Sequence, residues 1–245
     1  MIKSLLLRIY TKVFNRLLPK VELSYSRDGL YTIHNADFMD NSAFKTAYAE
    51  GKATNSWGAA NIEWRVHVGL WLAAQAARLE GDFVECGTNR GGMASAILVY
   101  LAKNANFQSK KFFCFDTFQG LSENYSTAEE YQQVAGHYSD CYAEVKAHFD
   151  QFPQVTLIKG AIPETLNQFK LTKIAFLHID MNSAVPEIAA AEYFWPQLVS
   201  GAYMLLDDFA WEVCKDQRDA FIDFAKQNNV EVLWLPTGQG LIQKP

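Results

Sequence analysis

The sequence predicts an α/β fold, with a seven-stranded, mostly parallel β-sheet and helices on both of its faces. Two observations predict it. From residue 82 onward, short apolar runs of strand length alternate with segments of helical periodicity, which is the pattern of successive βαβ units. The last two apolar runs are separated only by residues 236–240, too few for a parallel crossover, so the final strand should run antiparallel.

Each element is placed by its apolar pattern and by the turn residues that bound it. Strands are predicted at residues 82–86, 111–115, 155–159, 173–179, 202–206, 230–235 and 241–243, and helices between them at 91–103, 139–149, 163–169, 186–195 and 216–228. Upstream, helical periodicity predicts helices at 40–50 and 59–79, whereas residues 21–39 are expected to be irregular. We therefore divide the chain into an N-terminal helical extension or lid, 1–58, and one Rossmann-like domain, 59–245.

Composition and charge restrict the class of protein. With 245 residues, 49% of them hydrophobic, the chain is long enough for one large domain with its own core. The formal net charge of −5 does not favour a nucleic-acid partner. Without a run of about 18 apolar residues, no membrane span is expected. The cysteines lack C-x-x-C spacing and should be reduced, as in a cytoplasmic protein; they are Cys86, Cys114, Cys141 and Cys214.

Residues 1–20 combine apolar side chains at roughly helical spacing with charged residues that are all basic. They lack a small-residue cleavage site, so a secretory signal is not expected. Two interpretations remain open. The helix either packs on the domain or on a second subunit, as in a homo-oligomer, or lies on an anionic membrane surface as a peripheral contact. We favour the first.

The segment GDFVECGTNRGG, residues 81–92, reads as a strand, a glycine turn and the start of a helix. In a parallel sheet such a turn lets backbone N–H groups approach a nucleotide-like ligand. A dinucleotide needs the tighter G-x-G-x-x-G turn to seat its pyrophosphate. Here three residues separate Gly87 from Gly91, and Glu85 would repel a pyrophosphate. The turn therefore favours a ligand that carries an amino group and no phosphate.

Acidic residues end four of the predicted strands: Glu85, Asp116, Asp180 and the pair Asp207-Asp208. The carboxyl ends of parallel strands meet at one edge of the sheet, where ligands bind. Asp116, after the second strand, suits the two hydroxyls of a ribose, which occurs in both NAD and S-adenosylmethionine. The structural alternative is that these acids cap helices or hold loops.

Four motifs in this order resemble the TylF/macrocin O-methyltransferase family, a group of class I S-adenosylmethionine-dependent methyltransferases. They are GDFVECGTNRGG, FDTFQGL at 115–121, KGAIPETL at 159–166 and the run from LHIDMN to LLDDF at 177–209. The resemblance implies S-adenosylmethionine as cofactor and methyl transfer to a hydroxyl of a sugar or polyol, on a natural product or glycan precursor. It covers about residues 81–209 and leaves the N-terminal segment unexplained.

The resemblance also implies residue roles. The methionine part of the cofactor would be held by Glu85, Cys86, Gly87, Thr88, Asn89, Gly91 and Gly92, with Asp180 beside it. The ribose and adenine would contact Asp116, Thr117, Phe118, Gly160, Ala161 and Ile162. A Mg²⁺ ion would be held by Asp180, Asp207 and Asp208, and three carboxylates suit such a hard cation. The ion would lower the pKa of the acceptor hydroxyl.

One position departs from the family pattern. Where sugar-modifying members usually have a second aspartate that is the expected general base, this chain has Asn182, and an amide has no useful basicity. His178 points to the same side of the strand as Asp180 and is a candidate base. The alternative is that His178 is a buried histidine with a structural hydrogen bond, and we favour this interpretation. Asp208 is the other candidate, and the metal alone is a third explanation.

The polar insertion 119–136 should lie over the mouth of the site. Aromatic residues in or beside it could stack on an acceptor or pack an oligomer interface; they are Tyr125, Tyr131, His137 and Tyr138. On the predicted helix 59–79, Arg65 and His67 are expected to be a salt-bridged and a packed side chain. Two other functions remain open: a metal-independent methyltransferase, and a non-catalytic cofactor-binding module that docks through residues 1–20.

Overall fold

The computed structural model describes residues 22–134, 137–168 and 171–245. Its strands are β1 (Tyr25–Arg27), β2 (Leu30–Thr32), β3 (Asp82–Cys86), β4 (Phe112–Asp116), β5 (Val155–Lys159), β6 (Ile174–Ile179), β7 (Leu198–Leu206), β8 (Leu233–Trp234) and β9 (Gly240–Gln243). Its α-helices are α1 (Ser42–Ala53), α2 (Glu63–Ala76), α3 (Gly92–Leu101), α4 (Ala128–Gln133), α5 (Tyr142–Phe149), α6 (Ala184–Phe194) and α7 (Lys215–Gln227).

The predicted sheet is confirmed. Seven strands lie in the order β5-β4-β3-β6-β7-β9-β8. Strands β3 to β7 pair in parallel, and the final strand, β9, is antiparallel to both of its neighbours. From β3 the chain proceeds to one side through β4 and β5 and then returns to place β6 on the other side of β3. That reversal is the point at which ligands bind in open α/β sheets.

The sheet has an apolar core on each face, because successive side chains of a strand point to opposite sides. Phe83 and Phe176 pack with α1, α2, α3 and α5 on one face. Val84 and Leu177 pack with α6 and α7 on the other. Helices therefore cover both faces, as the sequence predicts.

The segment expected to be irregular contains a β-hairpin. Strands β1 and β2 pair antiparallel, and the turn residues Asp28 and Gly29 have φ angles of +51° and +71°. Asp-Gly is the residue pair that such two-residue hairpin turns favour. The sequence carried this signal, but the strands are only three residues long, below the length at which alternation of apolar residues is visible.

The prediction of a helix at 163–169 is wrong. The described part of this segment holds only a 3₁₀ turn, Leu166–Gln168. The Thr165 hydroxyl bonds back to the carbonyl of Ala161, and the amide of Gln168 bonds to Thr165 in the tighter i→i+3 pattern. The chain therefore turns once here and then leads to β6.

The described part of the predicted N-terminal extension packs on the domain core. Asn41 caps α1 by accepting hydrogen bonds from the amides of Ala43 and Phe44, and Phe44 and Ala47 are buried against α3. Residues 1–20, for which packing or membrane contact was expected, lie outside the described residues. No helix in the described ranges is long and apolar enough to cross a membrane.

Candidate active site

The strand register brings the predicted acids to one edge of the sheet. Cys86, Phe115, Ile179 and Leu206 lie side by side in β3, β4, β6 and β7. The next residue on each strand is therefore at the carboxyl edge, in one row: Gly87, Asp116, Asp180 and Asp207. The topology alone makes these four residues neighbours, although up to 120 positions separate them in the chain.

Two adjoining cavities open along this edge. The larger, about 830 Å³, is lined by acids of three strands together with the loop 55–60. The smaller, about 70 Å³, is lined by Phe115 to Phe118 and by Gly160 to Ile162. The residues common to both cavities form their junction; they are Gly87, Asn89, Tyr138, Ser139, Asp180 and Asn182.

Two glycines of the turn are required by close approach of the protein to itself. Gly87 has φ +91°, and a Cβ there would lie 1.8 Å from the carbonyl oxygen of Asp180. At Gly92 a Cβ would lie 2.7 to 2.8 Å from Ser56 and Trp57 of the loop after α1. The Ser56 hydroxyl also accepts a hydrogen bond from the Gly92 amide at 3.1 Å. The loop after α1 is thus attached to the glycine turn.

Asp116 organises the smaller cavity. Its carboxylate accepts hydrogen bonds from the amides of Asn89 at 2.7 Å and Phe118 at 2.5 Å. Burial raises its pKa, although these amides oppose the shift. The predicted ribose and adenine residues therefore lie together around one carboxylate. The backbone amide of Gly160 also donates a hydrogen bond to the carbonyl of Asp116, which holds it at the same strand end.

Glu85 and His178 form a buried pair two rows below the edge. Both are 1% exposed, and His178 Nδ1 lies 3.0 Å from a Glu85 oxygen. His178 Nε2 lies 3.8 Å from Asp207 and has no hydrogen-bond partner in the described part of the chain. Burial opposes charge on the ring, but Asp207 and Glu85 outweigh it and raise the pKa of His178 to about 10. An imidazolium has no free electron pair, which favours the structural interpretation of His178.

The three predicted metal ligands, Asp180, Asp207 and Asp208, differ in their hydrogen-bond partners. Asp207 accepts hydrogen bonds from Arg65 at 2.5 Å and from Gln239 at 2.8 Å. Asp208 contacts the same Arg65 nitrogen at 3.3 Å. No described residue donates a hydrogen bond to the carboxylate of Asp180. Arg65 is thus the salt-bridged helix arginine that was expected.

The charges of the cluster separate the three pKa values. Burial raises the pKa of Asp180 well above its usual range, and the charges of Asp207 and Asp208 raise it further. Burial and Asp207 raise the pKa of Asp208 to about 6. Asp207 is buried too, but Arg65 and His178 hold its pKa below the usual range. Asp207 is therefore the permanently charged member of the set.

The donor set agrees with a hard divalent cation in kind, since carboxylate oxygens are its preferred ligands. Its arrangement differs from a coordination site: across the described residues, no group of three or more His, Cys, Asp or Glu side chains is arranged to hold a metal ion. Both oxygens of Asp207 accept hydrogen bonds, one of them from Arg65. A cation would fit here once Arg65 moved off Asp207 and Asp208.

Asn182 and Tyr138 meet at the junction of the two cavities. The Asn182 amide donates to the Tyr138 hydroxyl at 3.1 Å, and Asn182 adopts the left-handed region at φ +55°, which asparagine tolerates better than most residues. Burial and the charges of Asp180 and Asp208 raise the pKa of Tyr138. Tyr138 is therefore a neutral hydroxyl facing the acids. His137 lines the larger cavity as well.

Glu130 anchors the insertion and was missed by the sequence reasoning. It is 7% exposed, and its oxygens accept from Ser183 Oγ at 3.0 Å and from the Ala184 amide at 2.9 Å, at the start of α6. It also completes a capping box with Thr127. The T-x-x-E spacing in the sequence was the available signal. Tyr125 and Tyr131 bond to Glu164 and Leu121.

Comparison with known proteins agrees with this geometry. The family model of macrocin-O-methyltransferase (TylF) matches residues 71–233, well over half of the chain. The chain belongs to the TylF family. A curated protein of similar sequence, the tetracenomycin-rhamnosyl 4'-O-methyltransferase of Streptomyces olivaceus, is 25% identical over 146 residues, which is 56% of this chain and 56% of that enzyme. The alignment thus spans about half the length of that relative.

Solved structures show the same fold as this TylF-family chain. The O-methyltransferase NovP superposes with a TM-score of 0.67 at 18% identity, covering 85% of this chain and 97% of NovP. The calicheamicin methyltransferase CalS11 gives 0.60 at 16%, covering 86% and 94%. An O-methyltransferase from Bacillus cereus, solved in complex with SAH, gives 0.54 at 14%, covering 97% of both chains. At these identities the likeness concerns the fold.

Proposed function

We propose that the protein transfers a methyl group from S-adenosylmethionine to a hydroxyl of a sugar or polyol. One observation carries the proposal: a cavity lined by the predicted ribose and adenine residues adjoins an open, acidic cavity, and Gly87, Asp180 and Asn182 line both. Membership of the TylF family supports the same reaction class. The acceptor would enter the larger cavity and meet the methyl group at the junction.

The cofactor would lie across the glycine turn. Asp116 would bind the ribose hydroxyls, and Gly160 to Ile162 would line the adenine, since these residues surround the smaller cavity. The turn from Gly87 to Gly92 and the acid Glu85 line the larger cavity beside it, where the methionine amino group would meet negative charge. Of the remaining predicted contacts, Thr88 and Asn89 line the larger cavity, and Thr117 and Phe118 line the smaller. Cys86 and Gly91 line neither cavity.

In the transfer, the acceptor oxygen forms a bond to the methyl carbon while the carbon–sulfur bond breaks, giving S-adenosylhomocysteine. The hydroxyl proton must leave to a base. Asn182 cannot accept it, and His178 is held between two acids. We assign the proton to Asp208, which lines the acceptor cavity, with Asp180 positioned at the junction to orient the reacting groups.

A divalent cation remains part of the proposal. Asp180, Asp207 and Asp208 would hold it, and Asp208 would then be a ligand rather than the base. When bound, it would lower the pKa of the acceptor hydroxyl. The alternative, a metal-independent methyltransferase, is favoured by one observation: Arg65 already contacts Asp207 and Asp208 and supplies positive charge there.

The acceptor class is inferred from relatives. The Streptomyces olivaceus enzyme is named for a rhamnosyl position of a tetracenomycin, and CalS11 is described as a TDP-rhamnose 3'-O-methyltransferase. A polar cavity lined by carboxylates and by Tyr138 suits a polyhydroxylated acceptor of the same kind. All four cysteines are buried and free, which supports a cytoplasmic location.

Calorimetry with S-adenosylhomocysteine tests the cofactor assignment, and we expect saturable binding with one site per chain. Methyl transfer from labelled S-adenosylmethionine is then measured against nucleotide-linked deoxysugars, with Mg²⁺ and with a chelator. Loss of transfer with the chelator supports the metal-assisted reaction, and unchanged transfer supports the alternative. Absence of cofactor binding by the folded protein would refute the function.

A further inference from the structure

We propose that Arg65 competes with a divalent cation for the carboxylates of Asp207 and Asp208. When a divalent cation displaces the guanidinium from these carboxylates, Asp28 keeps Arg65 bound beside them. The inference rests on the proposed function, since it takes these carboxylates to be the cation site. It assigns a role to the N-terminal hairpin, which the family resemblance does not cover.

Arg65 bridges two groups of acids. It projects from the first turn of α2, and its side chain is 14% exposed. Nη1 faces Asp207 and Asp208, whereas Nε and Nη2 face Asp28 at 2.9 and 3.4 Å. One planar guanidinium thus divides its donors between the edge of the sheet and the hairpin tip.

The guanidinium has favourable partners on the side of the hairpin. Asp28 is at the tip of the β1–β2 turn, and its side chain is 13% exposed. The neighbouring Gly29 lies against the ring of Trp211, and the Arg65 guanidinium carbon lies 5.6 Å from the centroid of the same ring. A carboxylate and an aromatic face both favour an arginine. Arg65 therefore keeps two favourable partners when Nη1 leaves Asp207.

The cluster has unused capacity for positive charge. One buried acceptor faces it without a partner among the described residues, the second oxygen of Glu85. Asp180 projects into the same cavity without a hydrogen bond from any described residue.

Competition gives two substitutions effects of opposite sign. Arg65→Gln removes the competing charge, so a divalent cation should bind more tightly. Asp28→Asn removes the group that retains displaced Arg65, so the guanidinium stays on Asp207 and Asp208 and the cation should bind more weakly. A purely structural role for the salt bridges predicts that both substitutions weaken binding, because both disturb the same cluster.

The probe is Mn²⁺, added to the full-length protein and followed by the electron paramagnetic resonance signal of the free ion. We expect the dissociation constant to fall at least about tenfold for Arg65→Gln, since a unit charge a few ångströms away is worth more than this even at high effective dielectric. For Asp28→Asn we expect a rise of about threefold or more. Arg27→Gln is the matched control, because Arg27 joins the same hairpin to the same helix through Glu63 without contacting the aspartates, and it should change the constant less than about twofold.

The outcomes are decisive in both directions. Unchanged or weaker Mn²⁺ binding by folded Arg65→Gln overturns the competition, and so does the absence of Mn²⁺ binding by both this variant and the wild type at millimolar concentration. If Arg65→Gln does not fold, tighter or unchanged binding by Asp28→Asn overturns it instead. Calorimetry with S-adenosylhomocysteine on the same samples separates this failure from failure of the proposed function, because the nucleoside cavity does not include Arg65.

Discussion

At the scale of single residues, the groups that donate hydrogen bonds to an acid, and not its position on a strand, determine what the acid can do. Asp116 and Asp207 are both one residue beyond the same row of the sheet, yet Asp116 accepts from two backbone amides and Asp207 from two side chains. Amides of a turn leave room for a ligand on one side, whereas Arg65 and Gln239 enclose their carboxylate. The first arrangement leaves the carboxylate accessible to a ligand, whereas in the second it is already paired with a positive side chain.

Asp116→Asn should weaken binding of S-adenosylhomocysteine by roughly 10- to 100-fold. The amide loses the charge that strengthens hydrogen bonds to the ribose, each worth about 1.5–3 kcal/mol, and its NH₂ group faces the donor of Asn89 or Phe118. Calorimetric titration measures the change. Asp150→Asn, an exposed acid on the far side of α5 that pairs with Lys146, should leave the affinity unaltered, and equal affinity in both variants would contradict the assignment of the ribose.

Residue identity also explains why Arg65 was only partly anticipated. A helix arginine that forms a salt bridge is ordinary, and the sequence offers no sign of which acid it meets. Its three partners come from two separate places: Asp28 from the hairpin tip, and Asp207 and Asp208 from the end of β7. Only the folded chain places them around one guanidinium.

At the scale of elements, the insertion between β4 and α5 is held to the start of α6 by Glu130 and Ser183. The Ser183 hydroxyl also donates to the carbonyl of Tyr125, and Asn182, one residue earlier, bonds to Tyr138 beyond the insertion. The loop after β6, which carries Asp180, and the wall of the acceptor cavity are therefore fixed to each other. Movement of the insertion should therefore change the position of the loop after β6.

Glu130→Gln tests this coupling. An amide in place of the carboxylate keeps one acceptor but sets an NH₂ group against the donors of Ser183 or Ala184, at a cost of about 1–3 kcal/mol. We expect faster hydrogen exchange in residues 120–134 and a KM for the acceptor raised several-fold, with the affinity for S-adenosylhomocysteine little changed. Glu129→Gln is the matched control, because Glu129 is the exposed neighbour on the same helix. Equal exchange in the two variants would rule out the anchor.

At the scale of the whole molecule, the fold concentrates negative charge where the sheet ends. The apolar cores on both faces leave the carboxyl edge as the place where acids of several strands meet, and their burial raises the pKa values of Asp116, Asp180 and Asp208. Such an edge opposes folding at high pH and is relieved by positive charge. The site is therefore arranged for binding at some cost to stability.

The buried acid Glu187 should make the stability of the protein depend on pH. It is buried on α6 beneath the loop after β6, where it accepts from the Met181 amide at 3.1 Å and from Gln217 at 3.3 Å. Burial, assisted by the charge of Asp208, raises its pKa from 4.5 to about 8. The folded state thus keeps a proton that the unfolded chain releases near pH 4.5, so its contribution to stability is present in acid and is lost as the pH rises through about 8.

We expect the Tm of the wild-type protein to fall between pH 5 and pH 8, by an amount on the order of a few kcal/mol in unfolding free energy. Glu187→Gln should reduce that slope, because an amide keeps an acceptor for Met181 and does not ionise. Thermal denaturation at each pH measures both. Glu192→Gln, at an exposed position of the same helix, should keep the wild-type slope, and an undiminished slope in the Glu187 variant would disprove the linkage.

The sequence by itself determined the α/β class, the seven strands, the antiparallel final strand and the meeting of Gly87, Asp116, Asp180 and Asp207 at one edge of the sheet. These features are encoded locally, because apolar runs mark buried strands and polar residues follow where each strand leaves the core. The short hairpin and the Glu130 anchor had local signals too, an Asp-Gly turn and a capping box, but each was too brief to stand out.

Only the tertiary structure decided how the acids are partnered. Electrostatic energy depends on distances between residues far apart in the chain, and no local pattern records that Asp28, Arg65 and Asp207 meet. The same holds for the turn glycines, which admit the backbone of Asp180 and the side chain of Trp57. Periodicity gives an element and its buried face, whereas the pairing of charges follows from how the elements pack.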